Sequence, residues 1–171
     1  MVPLEEALRF GGFVMAHSAW IASDLEKGEL VCPIAVITKG DSRKVIPFEA
    51  ATQAEAVESG KRSFDDLKSS VDAWALAREG LFSIAGSDQP KIDSLVVSSW
   101  VKGLDEPIIL RQLFRPKEKG GFGLIGQIIV AIHGVVPSCE VHARLLLPAM
   151  QGISSHPHGS SWERWSSSAK S

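Results

Sequence analysis

Tyrosine and asparagine are missing altogether from this 171-residue chain, and cysteine occurs only twice, at Cys32 and Cys139. Two cysteines do not make a disulfide framework, so stability has to come from a packed core. No apolar run approaches the ~20 residues of a membrane-spanning helix. Charge of one sign is also lacking: 18 basic against 20 acidic residues leave a net charge of −2, which gives no global pull toward nucleic acid or an anionic membrane. Catalytic signatures are missing as well. There is no G-x-S-x-G, no cysteine with a nearby histidine in a β/α frame and no paired carboxylates on one face that mark an acid–base site. The first ten residues, MVPLEEALRF, carry two acids where a secretory signal carries positive charge, so a cytoplasmic protein is expected.

What is present is ordinary globular material, 44% hydrophobic and 22% charged, long enough for one core. Residues 63–80, SFDDLKSSVDAWALAREG, look like the element around which the rest is arranged. Phe64, Leu67, Val71, Trp74, Ala75 and Arg78 recur at three- and four-residue steps, which predicts a core-facing helix ending at Gly80.

Around it, the chain reads as follows. Pro3 to about Leu25 is a first helix with Leu4, Ala7, Leu8, Val14 and Met15 on one stripe, and Phe10, Phe13, His17 and Trp20 on a second, aromatic one. A helix apolar on two sides must be covered on both. LVCPIAVIT and VIPF form a hairpin, and Thr52 with Glu55 caps a short helical piece that Gly60 interrupts. After Gly80, four strands follow with turns at AGSDQP, LDEP and KEKGG. The expected fold is α+β, in the order α-β-β-α-β-β-β-β: a mostly antiparallel sheet, hairpin plus four-strand meander, packed on one side by two main helices. In outline this order resembles that of roadblock-type and profilin-like regulatory modules, a likeness of fold that no motif carries. Residues 1–133 form the domain. Residues 134–171, nine of them serine, read as a partly disordered extension in which VHARLLLPAM makes one short helix stopped at Pro148.

Several motifs have a chemical reading beside a bland one. Residues 121–126, GFGLIG, match the letters of a dinucleotide loop, but a charged turn precedes them and a strand follows, so turn and bulge glycines account for them better. Cys139, His142, His156 and His158 are the right number of ligands for zinc at the wrong spacing, and no metal or other cofactor is expected. Arg78 is the candidate for anion binding and His17 for acid–base work, each against a structural role.

The leading expectation is a non-catalytic interaction or regulatory module that forms a homodimer through the first helix, with Phe10, Phe13, His17 and Trp20 as its surface. The alternative is a small-molecule-binding protein or small enzyme with a pocket between helices and meander, lined by Arg78, Trp100 and Arg111 together with His17 and Trp20. Nucleic-acid contact through Arg111, Arg115, Lys117 and Lys119 is the weakest reading, and no membrane association is expected.

Overall fold

The helical spacing at the start of the chain is realised: in the computed structural model, Val2–Ala22 form helix α1, with Ala7, Leu8, Val14 and Met15 fully buried. The structure describes residues 2–83 and 91–168, and the turn expected at 85–90 lies outside them. The hairpin follows as β1 (Ile34–Lys39) and β2 (Ser42–Pro47). Helix α2 (Gln53–Leu67) begins at the Thr52 cap, whose Oγ1 accepts from the Glu55 N–H at 3.1 Å. The meander is β3 (Ala73–Phe82), β4 (Ile92–Val101), β5 (Ile108–Arg115) and β6 (Gly123–Ala131). All six strands form one antiparallel sheet in the order β2-β1-β3-β4-β5-β6, so the α+β class and the order of elements are as expected.

The predicted helix over 63–80 does not exist. Helix α2 runs through Gly60 and ends at Leu67, and Val71, Trp74, Ala75 and Arg78 lie beyond it, the last three in β3. The stretch Ala73-Trp74-Ala75-Leu76-Ala77 alternates small and large residues, and the alternation is what counts. Ala73, Ala75 and Ala77 join the core beneath α1, while Trp74 and Leu76 join a second core beneath α2. A strand buried on both faces has no polar face to reveal its period of two, and its apolar residues fall at helical steps by coincidence. Gly60 does not break α2 because it faces Leu76, where a Cβ would crowd the leucine methyls.

The two helices take opposite faces rather than sharing one. Alanines on the α1 side let that helix come close: Gly11 sits against Leu110 and Ser99, whose Oγ donates to the Ala7 carbonyl at 2.7 Å. Helix α2 is tied to the other face where the Trp74 indole N–H donates to Ser63 Oγ (3.0 Å), which in turn donates to the Gly60 carbonyl (2.6 Å). Phe64 packs on both Trp74 and Trp100.

The segment expected to be a partly disordered extension with one short helix carries two helices, α3 (Cys139–Ser155) and α4 (Trp162–Ser168). Helix α3 continues through Pro148 instead of stopping there, and it packs on α1 with no side chain between the two backbones. A Cβ on Gly12 would overlap the Ala149 carbonyl, and one on Gly152 would overlap the Arg9 carbonyl. Ala149, Ile153, Trp162 and Trp165 are buried, which is why a serine-rich composition did not leave this segment in solvent. His142 secures the other end of α3, its Nε2 accepting from the Val130 N–H at 2.9 Å.

Gly121 and Gly126 have positive φ (102° and 68°) and belong to the turn before β6 and to an irregularity within it. The β5–β6 register slips between Arg111 and Leu113, and Gln112, almost fully buried, answers the slip by reaching the carbonyl oxygens of Leu113, Ile125 and Gly126 at 3.0–3.1 Å. The G-x-G-x-x-G letters are therefore turn and strand glycines, with no helix after them.

Candidate functional site

The aromatic stripe of α1 is occupied by the chain's own C-terminal part. Phe10 is half-buried against the main core. Phe13 lies between the Arg43 guanidinium, 4.1 Å above its ring, and the His156 ring at 4.9 Å. His17 meets His156 through ring nitrogens 3.1 Å apart, and Trp20, still 41% exposed, stacks on His158 at 4.3 Å with the planes 6° apart.

The protons in this cluster are set by its geometry. His156 Nδ1 accepts from the His158 backbone N–H at 3.0 Å, so its Nε2 carries the hydrogen and donates to His17 Nδ1, leaving the His17 proton on Nε2. Burial, then the neighbouring His17 and His158 and the Arg43 charge, push His156 down to about 4; burial and His158 lower His17. The unfolded chain takes up protons below its ordinary histidine value near 6.5, whereas the folded chain refuses one at His156 until about pH 4. Stability conferred by neutral His156 is therefore complete above pH 6.5 and lost as the pH falls toward 4, by at most about 1.4 kcal/mol per pH unit.

Glu79 works in the opposite direction. Burial, with Asp93 nearby, raises it to about 7, so its contribution is present below its unfolded value of 4.5 and lost as pH rises through 7. The two trends offset each other in the wild-type chain, and a variant is needed to separate them. His156→Gln is expected to be less stable than wild type in urea titrations at pH 7.5, with the gap closing by about 1–2 kcal/mol at pH 5. A gap independent of pH would contradict the assigned protonation.

The four zinc-ligand candidates do not converge: Cys139 and His142 are in the first turn of α3, while His156 and His158 follow its last residue. No group of three or more possible ligands is clustered to hold a metal among the described residues.

Of the expected pocket residues, Trp100 is separated from the rest. It is buried under α2 and its indole N–H donates to the Leu104 carbonyl at 2.8 Å. Arg78 and Arg111 do come together, on the sheet face that α2 leaves uncovered, both being cross-strand neighbours of Val96. Neither touches the histidine cluster, which lies on the α1 side.

A groove of about 730 Å³ lies elsewhere, between β6, α3 and α4. Leu124 and Ile128 from β6, Leu146, Met150 and Ile153 from α3, and Trp162 from α4 make its apolar lining. Its polar groups are Gln127 from β6, Ser154 from α3, Ser160 from the turn before α4, and Ser166 and Glu163 from α4, and Glu163 is the one charged group among the described lining residues. Met150, in this lining, is 40% exposed. The sequence signal for this site was the helical spacing of Leu145, Leu146, Ala149, Met150 and Ile153, hidden by Pro148 in their midst.

No family model, no curated protein and no solved structure matches this chain. The site's own chemistry is therefore the ground for a functional reading. No described helix is long and apolar enough to cross a membrane.

Proposed function

We propose that this chain is a non-catalytic binding domain that takes a small neutral or cationic amphiphile into the groove between β6, α3 and α4. The carrying observation is the groove itself: about 730 Å³, within the range of small-molecule sites, with an apolar lining and a few polar groups. Among the described lining residues the single charge is an acid, Glu163, so an anionic head group is disfavoured and an amine or hydroxyl is suited to Ser154, Ser160 and Ser166. Self-association through α1 loses its support, because Phe13, His17 and Trp20 are engaged by His156 and His158.

An octyl chain offers about 6 kcal/mol from about eight buried carbons, seven methylenes and a methyl, before the cost of immobilisation, so dissociation constants of roughly 0.1–1 mM are expected for probes of that size. Octylamine, octanol and octanoate, compared by thermal shift and tryptophan fluorescence, should show saturable binding of the first two and about tenfold weaker binding of the carboxylate. Glu163→Gln should remove the preference for amine over alcohol, and Ser154→Trp, at an exposed rim position, should block all three. Unsaturable responses, or a Ser154→Trp chain that binds as well as wild type, would refute the proposal.

A further inference from the structure

The face of the sheet opposite α1 carries two arginines where side chains of strands usually pack or meet solvent. Arg78 on β3 and Arg111 on β5 both lie across from Val96 on β4, two ladder spacings apart, about 9.6 Å between backbones. Their head groups converge. Arg111 Nη1 donates to Ser94 Oγ at 2.7 Å, with its guanidinium 5.5 Å from the Phe82 ring. Arg78 folds back over Gly80, where an added Cβ would stand 3.2 Å from its Nη1. Gly80 and Ser94 are directly paired, so the two forks meet over one cross-strand pair. Gly80 is not among the glycines with positive φ; its backbone does not need glycine, and the space above it does.

Like charges brought together and half-buried oppose each other, and Arg78 is lowered both by burial and by the Arg111 charge. Among the described residues, neither guanidinium is in an ion pair with a carboxylate. The nearest acids on these strands, Glu79 and Asp93, alternate to the other face, level with Leu95 and Leu81. Arg111 uses one of its donors on Ser94, and none of the Arg78 donors has a partner among the described residues.

We propose that Arg78 and Arg111 form a receptor for a phosphate monoester. Two guanidinium forks match a dianion with three terminal oxygens in both charge and geometry, whereas a single carboxylate leaves one charge uncompensated. The organic part of the ester rests on Leu113, half-buried on β5 beside the arginines and paired with Ser94. This site is on the sheet face away from the α3–α4 groove and stands independently of it.

The probe is phenyl phosphate, titrated by calorimetry into the full chain at pH 7.5 and low ionic strength, with inorganic phosphate as the minimal dianion. Saturable one-to-one binding is expected, weakened at least tenfold in Arg78→Gln and in Arg111→Gln, partly retained in Arg78→Lys, and not reproduced by chloride at matched ionic strength. Stability supplies a second readout that a structural arginine would not give. Without phosphate, Arg78→Gln should melt above wild type, because a repelled charge is gone; at saturating phosphate the order should reverse. Octylamine should not compete. The proposal is overturned if wild type shows no saturable binding, if both glutamine variants bind undiminished, or if Arg78→Gln melts lower in phosphate-free buffer.

Discussion

Gly12→Ala is expected to destabilise the protein by about 2 kcal/mol, and Gly12→Leu or Gly152→Leu by about 3 kcal/mol or more. Two effects compete in the alanine variant. Helix propensity favours alanine over glycine inside α1 by up to about 1 kcal/mol. Against it, the new methyl group falls on the Ala149 carbonyl, a backbone group that no rotamer change can move aside, so α3 must shift as a body. Overpacking of this kind costs roughly 1–3 kcal/mol, to which the loosened packing of Ala149 and Ile153 is added. The steric effect wins, and the sign of the change decides the matter. Urea denaturation at pH 7.5 that showed Gly12→Ala more stable by about 1 kcal/mol would mean that α1 and α3 are not in backbone contact.

A chain ending at Gly134 is expected to lose its cooperative fold. Truncation removes α3 and α4, and with them the buried side chains of Ala149, Ile153, Trp162 and Trp165. At about 1.5–3 kcal/mol for each large side chain, the loss is comparable with the 5–15 kcal/mol that holds a whole domain together. Phe122, edge-on to Trp165 at 5.5 Å, and Leu124 and Ile128 would also lose cover, exposing an apolar patch beside the edge strand β6. Aggregation or a molten, ANS-binding state is predicted, with rescue when a peptide of residues 135–171 is supplied in trans. A truncated chain with the parent's near-ultraviolet circular dichroism and a single sharp transition would show instead that α3 and α4 are appendages.

What the sequence made legible follows from how many faces each element buries. Helix α1 was readable because its two apolar stripes are both helical, and the demand that each be covered is met by the sheet on one side and α3 on the other. The hairpin and the last three strands were readable from alternation and turn residues. β3 was not, because Ala73 to Ala77 are covered on both faces and the polar half of the alternation is absent. The C-terminal helices were hidden by composition: serine count describes the average residue, whereas packing depends on a few, among them Gly152, Ile153 and the two tryptophans.

The same reasoning explains which site residues were found. Arg78 was singled out at the edge of the expected helical stripe and Arg111 as a cation in an expected strand, but their common neighbour Val96 is a matter of register, which single-sequence spacing does not reveal. Trp100 was grouped with them on residue type alone and belongs to the α2 core. The groove could not be anticipated, since it exists only where α3, α4 and β6 meet, and Pro148 disguised the helix that forms one wall.

The measurement that tests the binding role most directly is methyl and indole NMR of the full chain titrated with octylamine. The predicted result is saturable shifts confined to the Met150, Ile128, Ile153, Leu146 and Leu124 methyl groups and the Trp162 indole, absent in Ser154→Trp. Shifts that never saturate, or that spread over the surface without favouring these residues, would contradict it.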